Sequence, residues 1–289
     1  MNSKTIVTHN GNFHADDVFS VAALRQIIPT FKLIRTRDSD LIAKADIVID
    51  VGGEYDPDSD RFDHHQRGGA GERDNGIAFS SFGLIWQKYG LEICQGNQEV
   101  ANSVDAGLVS TIDAIDCGHV EGVSQGISLS QTISMFNPTW QEDSHFDTCF
   151  DEAVDFASRV LTRFIASANG GISAKEIVAK AIDNAEDPRV IVLEKYTPWK
   201  RTVHTLSAEA LYMIYPSPSG QWRIQTVPVE PGSFEDRKPL PKEWAGLSDK
   251  ALKEVTGIDD AMFCHNGLFI AGAESFESTM KMASIALQG

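Results

Sequence analysis

Apolar and polar positions change period several times within the first 65 residues. Thr5-Ile6-Val7-Thr8 reads as a short buried strand, and an apolar-periodic segment from Asp16 to Ile28 reads as a helix. A second strand is expected at Phe31 to Arg35, a short helix near Asp40 to Ala45, and a third strand from Asp46 to Val51. Gly52-Gly53 and Asp56-Pro57-Asp58 mark a turn before a brief strand at Arg61 to Asp63. Short apolar strands separated by helical patterns predict βαβ units and a parallel sheet.

Helical periodicity then dominates. One helix is expected from Ser80 to Lys88 and a single helix from Gln98 to Asp116. A long amphipathic helix runs from Phe146 to Ala168, with Asn169-Gly170-Gly171 as its C-terminal stop, and another covers Ser173 to Asp183. From Arg189 the pattern turns to strands of a second sheet: Val190 to Leu193, Ala210 to Ile214, Trp222 to Val227 and a last one at Leu268 to Ile270. A closing helix starts at Ser275. At 289 residues the chain is long for one core. The expectation is a two-lobed α/β protein, with a parallel-sheet domain over 1–170, a smaller mixed-sheet domain over 171–289, and a long helix joining them.

Composition changes this picture little, and charge changes it more. The formal net charge is −16, which opposes non-specific coating of nucleic acid. It leaves room for a nucleotide or strand end in a local, metal-rich cleft, where divalent cations would reverse the field. Cys94, Cys117, Cys149 and Cys264 are scattered without a C-x-x-C pair, as in reduced cytosolic proteins. No leader pattern precedes the first strand and no apolar run approaches membrane-spanning length. A cytoplasmic protein without a membrane partner is expected, with a homodimer left open.

The chemistry concentrates at the strand ends. Four of the eight histidines fall in two clusters, His9 to Asp17 and Asp63-His64-His65, with Asp50 closing the apolar run between them. Asp113-Ala114-Ile115-Asp116 adds a fourth acidic segment at a helix end. Any one of these has a plain explanation as a cap, a turn or a polar loop. Falling at consecutive strand junctions, they share an edge of the sheet. Imidazole and carboxylate are ligands of borderline divalent metals, so a two-metal hydrolase is the expectation. Gly68-Gly69-Ala70-Gly71 through Asn75-Gly76 reads as a loop beside them and a candidate lid.

Asp63-His64-His65, Asp50 and an upstream carboxylate motif together resemble the DHH phosphoesterase superfamily. More closely, Thr8-His9-Asn10-Gly11, Phe13-His14-x-Asp16, Asp50-Val51-Gly52-Gly53-Glu54-Tyr55-Asp56-Pro57 and Phe62-Asp63-His64-His65-Gln66-Arg67 resemble the melanocyte-proliferating-gene family. The likeness continues through Ile112 to Asp116, Asn137-Pro138-Thr139-Trp140, Pro198-Trp199-Lys200, Leu240-Pro241-x-x-Trp244 and His265-x-x-x-Phe269-Ile270-x-Gly272. Members have carried the label metal-dependent protein hydrolase, and a eukaryotic member is regarded as a 3′-to-5′ RNA exonuclease. Protein hydrolysis finds no support in the residues, which contain no H-E-x-x-H helix and no Ser or Cys nucleophile motif.

The resemblance implies that His9, His14 and Asp16 hold one ion and that Asp50 bridges to a second held by His64 and either Asp113 or Asp116. The wider superfamily has Asp-x-Asp where this chain has His14-Ala15-Asp16. That exchange removes one negative charge, leaving Mn²⁺ favoured and Mg²⁺, Fe²⁺ or Zn²⁺ open. His65 would face substrate phosphate, Asp63 would orient a neighbouring histidine, and Arg67 would clamp phosphoryl oxygens. In the second domain, His265, Gly267 and Gly272 match the family's substrate-binding segment, with Lys200 a further candidate. The implied activity is hydrolysis of phosphodiester bonds in short RNA or DNA. A small-substrate phosphatase or pyrophosphatase and a non-catalytic metal-dependent binding module are the alternatives.

Overall fold

A computed structural model describes residues 3–119, 126–143 and 145–289. The chain divides into two compact units, Met1–Asn169 and Gly170–Gly289. Each is α/β with its own five-stranded sheet.

The first unit opens with β1 (Lys4–Thr8), α1 (Ala15–Ile27), β2 (Phe31–Arg35), α2 (Ser39–Lys44), β3 (Ile47–Ile49), β4 (Tyr55–Asp56) and β5 (Arg61–Phe62). The sheet order is β2-β1-β3-β5-β4. All pairs are parallel except β4 against β5. From β1 the chain crosses to β2 on one side, then returns to β3 on the other. Between β1 and β3 the strand order therefore reverses, and open α/β sheets bind ligands at the carboxyl ends of such strands. The residues leaving β1 and β3 there are His9 and Asp50.

Strand alternation explains the two faces of this sheet. Val7, Val48 and Val51 pack with Ala45, Ile34 and Ile42 on the face that carries α2. Ile6, Ile47, Ile49 and Phe62 are also fully buried. Residues Ala15 to Leu24 of α1 are buried all round, as a helix enclosed on every side must be. It packs on α3 (Ser81–Ile93), where the Phe19 and Phe82 rings lie 5.4 Å apart.

Two helical expectations fail instructively. The single helix over Gln98 to Asp116 is instead α4 (Gln98–Val104), a π-helical turn at Asp105–Val109, and α5 (Ser110–Asp116). The wide turn lets Asp105 reach Arg73, at 2.7 Å, and such turns recur at functional sites. After α6 (Leu129–Ser134), α7 runs unbroken from Phe146 to Asp183, through the anticipated stop. Neither Gly170 nor Gly171 takes the left-handed conformation a C-terminal stop requires. Two helical glycines cost about 2 kcal/mol, but ending and restarting the helix would leave up to eight backbone groups to be satisfied elsewhere. Buried residues on either side (Phe150, Val154 and Leu161, then Ala174 and Val178) anchor both halves.

The second unit holds β6 (Val190–Val192), α8 (Lys200–Leu206), β7 (Tyr212–Pro216), β8 (Trp222–Thr226), α9 (Asp249–Thr256), β9 (Ala261–Cys264), β10 (Ile270–Ala273) and α10 (Phe276–Gln288). Its order is β6-β7-β8-β10-β9, with only β6 and β7 parallel. The last strand begins at Ile270 because Leu268 turns the chain with φ of 58°. Among the described residues no helix is long and apolar enough to cross a membrane.

Candidate metal centre

The β1–α1 junction supplies three groups. His9 follows β1 and is buried. His14 is the N-cap of α1, with Asp16 and Asp17 in the first helical turn, where the helix dipole favours anions. The Asp17 carboxylate accepts from the His14 amide at 3.0 Å and from the Val18 amide at 2.8 Å, fixing the turn. From β3 comes Asp50, held at φ of 56°. A non-glycine residue in that region costs about 1–2 kcal/mol, and strain of this kind gathers at functional sites.

Asp50 is the hub. One carboxylate oxygen lies 3.2 Å from His9 Nε2, and the other lies 3.3 Å from His64 Nε2 and 3.4 Å from His65 Nδ1. The Ser81 hydroxyl donates to that second oxygen at 2.9 Å. His64 also faces Asp116 at 3.4 Å and Asp16 at 3.7 Å. Four groups bring ligand atoms within 4.8 Å of one another: His9 with His14 and Asp50; Asp50 with His64 and His65; His14 with Asp16 and Asp116; His64 with Asp116 and Cys117.

Electrostatics test whether a cation belongs here. Among the described residues both Asp16 carboxylate oxygens are buried without a hydrogen-bond partner, while Asp17 Oδ2 faces His9 at 3.2 Å and His64 Nε2 faces Asp50 at 3.3 Å. Burial, with Asp50 and Asp116 nearby, pushes the Asp16 carboxyl well above its ordinary range. Burial also raises Asp17 and Asp116. At Asp50 burial acts in the same direction but is outweighed by the His64 and His9 imidazoles, which hold it below the usual carboxylate range. Burial lowers His9, but Asp17 and Asp50 overcome it and raise the imidazole to about 10. His64 behaves alike, raised to about 10 against burial by Asp50, Cys117 and Asp116. Protons are thus standing in for positive charge. Unpaired buried carboxylates are costly, and this N/O donor set suits borderline divalent cations.

The anticipated residues do not all share this place. Asp113 faces away from the group: Arg73 binds it at 2.5 Å, the Ser80 hydroxyl at 2.5 Å and the Gly83 amide at 3.1 Å. Burial still raises its carboxyl to about 6. Asp116, one turn on, is the acid beside His64. Asp63 accepts from His65 Nδ1 at 2.8 Å and from the Gly53 amide at 2.6 Å, so it orients His65, whose side chain is 62% exposed. Arg67 is exposed. The glycine-rich segment folds back on itself, with the Arg73 amide donating to Ile77 and the Gly76 amide to Arg73, and the Arg73 side chain pins it to Asp105 and Asp113.

In the second unit, His265 is exposed in the β9–β10 turn and its Nδ1 accepts from the Gly267 amide at 2.9 Å. Gly272 is buried in β10, where a Cβ would come within 2.5 Å of the Arg223 guanidinium. That is a packing requirement. Lys200 is exposed at the start of α8. Trp199 and Trp244 are buried, while Trp140 of the first unit is 91% exposed. Sequence reasoning missed Asp17, Ser81, Arg73 and Cys117 as neighbours of the site. Asp17 had a signal, an acid in the third position of a helix whose cap is a candidate ligand. The others are brought in only by tertiary packing.

Comparison with known proteins gives the family. The chain is 34% identical to mouse "MYG1 exonuclease" over 98% of its own length and 84% of the relative's. The human "MYG1 exonuclease" is 34% identical at 98% and 85% coverage, and the Dictyostelium discoideum "MYG1 protein" 30% identical at 98% and 96%. Residues 5–287 match the MYG1_exonuc family, described as "Uncharacterised protein family (UPF0160)". With nearly the whole chain matched and the histidine–aspartate cluster inside the matched span, this protein belongs to the MYG1 family.

Proposed function

We propose that this protein is a metal-dependent phosphoesterase that hydrolyses phosphodiester bonds of short RNA or DNA from the 3′ end, using a dinuclear centre of the DHH type. The observation that carries the reading is Asp50, whose two oxygens face His9 on one side and His64 on the other. A carboxylate so placed would suit a bridge between two ions, one of which His9, His14 and Asp16 would hold and the other His64 and Asp116. Mn²⁺ is the favoured ion on ligand type, with Mg²⁺, Fe²⁺ and Zn²⁺ as competitors in the metal assay. Bound ions of this kind acidify the attacking water and offset charge on the phosphoryl oxygens.

The chain's own residues do the rest. Asp63 accepts the Nδ1 proton of His65, which leaves His65 Nε2 as the atom offered to a substrate phosphate. Arg67, exposed two residues on, supplies a guanidinium to the same group. Ser81 steadies Asp50. We assign substrate capture to the second unit, through His265 and Gly267, with Lys200 as a further contact and Gly272 as the packing that supports the strand. The free thiols of all four cysteines suit a cytoplasmic setting. A net charge of −16 favours, as a second reading, a small-substrate phosphatase or pyrophosphatase, which needs no extended basic track.

The test is manganese-supplemented hydrolysis of a 5′-labelled short RNA, the matching DNA, dinucleotides and pyrophosphate, beside a His64→Ala variant. A ladder shortening from the 3′ end, lost in the variant, is the expected result. Phosphate release from pyrophosphate alone would move the protein to the small-substrate class.

A further inference from the structure

A second cavity lies on the same strand edge as the metal centre, one strand further out. It encloses about 440 Å³ and is lined by Asn10, Gly11, Arg35 and the first turn of α7, from His145 to Thr148. Its inner wall is the loop that also carries His9 and His14. Arg35, at the end of β2, has a side chain only 3% exposed. Its guanidinium lies 4.5 Å from the Phe150 ring centre and 5.5 Å from that of Phe13, which fixes its plane. One terminal nitrogen donates to the Gly11 carbonyl at 2.6 Å.

The remaining donors are poorly matched. Arg35 Nε is buried without a partner, and the other terminal nitrogen meets only Asp147, at 3.0 Å, whose side chain is 82% exposed. A guanidinium has five donors arranged to fit a tetrahedral or planar anion, and leaving them unpaired in a buried place is costly. Opposite Arg35, the Cys149 amide donates to the His145 carbonyl. The amides of Phe146 and Asp147, the first two residues of α7, lie at the positive end of a 38-residue helix. Two independent features, a buried, under-partnered arginine and a long helix's N-terminus, converge on one polar cavity. Among the described residues Asp147 is the only acidic group lining it, and its carboxylate holds the place of an external anion.

We infer that this cavity binds a phosphate group, and that in the working enzyme it is the terminal phosphate of the oligonucleotide whose neighbouring phosphodiester is cut. The second half of that statement rests on the phosphodiesterase reading; the first does not. Asn10 and Thr148 offer side-chain donors to the same group. The site selects short substrates by their charged end, which reconciles an acidic protein with a phosphate-bearing ligand.

The first experiment is calorimetric titration of inorganic phosphate into the chelator-treated full chain. Binding should weaken about tenfold or more in Arg35→Gln, the equivalent of losing one charge-assisted pair. It should tighten several-fold in Asp147→Asn, which removes the competing carboxylate at an exposed position. Because Arg35 also supports the Gly11 loop, Arg35→Lys and a thermal melt of each variant accompany it. The opposite signs at 35 and 147 cannot come from misfolding. Equal affinity in wild type and Asp147→Asn, or no phosphate binding, overturns the site. The second experiment compares metal-loaded hydrolysis of dinucleotides with and without a terminal phosphate. A lower KM for the phosphorylated form than for the unphosphorylated one, a difference erased in Arg35→Gln, supports the substrate assignment. Equal KM values overturn it and leave a free-phosphate site. Arg35-dependent phosphate binding with no hydrolysis of any substrate would sink the phosphodiesterase reading while the anion site stands.

Discussion

The two units of this chain spend their buried polar groups differently. In the first, His9, Asp16, Asp17, Asp50, Asp63 and Asp113 are all buried, and five of these six carry acid side chains. In the second, the buried polar residues are hydroxyl-bearing, such as Thr226, Thr256 and Thr279, which satisfy themselves on nearby backbone carbonyls. Its core is otherwise apolar, around Tyr212, Ile214, Ile224, Trp244 and Leu252. An interior that accepts uncompensated acids is built around a ligand that brings positive charge. The lesson is that polar burial separates the chemical unit from the other one more sharply than fold class does, since both are α/β.

The largest effect should come from breaking the hub. Asp50→Ala is expected to reduce manganese-dependent hydrolysis by about three orders of magnitude or more and to lower the metal bound per chain, read by elemental analysis. Full metal content with full activity would sink the comparison. Next, Arg73→Ala leaves the buried Asp113 carboxylate without its guanidinium. Denaturant unfolding should then show a loss of about 3–5 kcal/mol, where Lys200→Ala in the second unit should stay within about 0.5 kcal/mol. Gly83→Ala sharpens the same point. A Cβ there would lie 2.1 Å from an Asp113 oxygen, and overpacking of that kind costs about 1–3 kcal/mol.

The pH dependence follows from the imidazoles. His9 and His64 are each raised from 6.5 to about 10 in the metal-free chain. Their stabilisation is complete below pH 6.5 and is lost as pH rises toward 10. The raised carboxyls of Asp16, Asp17 and Asp116 act in the same direction, favouring the protonated, lower-pH form. Asp50 opposes them, contributing stability above the ordinary carboxylate range that is lost on acidification. Metal-free protein should therefore melt at a lower temperature at pH 9 than at pH 6.5. The gain in Tm on adding Mn²⁺ should grow over the same interval, because binding displaces those protons. A Tm gain independent of pH would show that His9 and His64 are not ligands. The smallest effect is expected at His265→Ala, with stability changed by less than about 0.5 kcal/mol and any loss of activity confined to KM. A fall in kcat there would blur the division between the units.

The chain's local pattern was enough for the main strands of the first sheet and for the histidines and aspartates that the structure gathers at their ends. β1, β2 and β3 stand out as short apolar stretches, and His9, Asp50 and His64 each lie within two residues of a strand end. His9, His14, Asp16, Asp50 and His64 could be named because connection rules place consecutive parallel strands edge to edge. The short strands β4 and β9 and the short helices α8 and α9 were not legible, because elements of two to eight residues give a period too few repeats to register. The stop at Asn169-Gly170-Gly171 was misread because a glycine pair is a local signal, whereas continuing a helix is a cooperative outcome fixed by packing at both ends.

What the sequence determined by itself was the chemistry available and the strands that would carry it, since residue type and period are local properties. Only the tertiary structure set Asp116 beside His64 and tied Asp113 to Arg73, Ser80 and Gly83. It alone also brought Arg73 to Asp105 and Asp113, and Arg35 to the start of α7. Those contacts join residues tens to more than a hundred positions apart. They depend on burial and charge in three dimensions, which no linear spacing encodes.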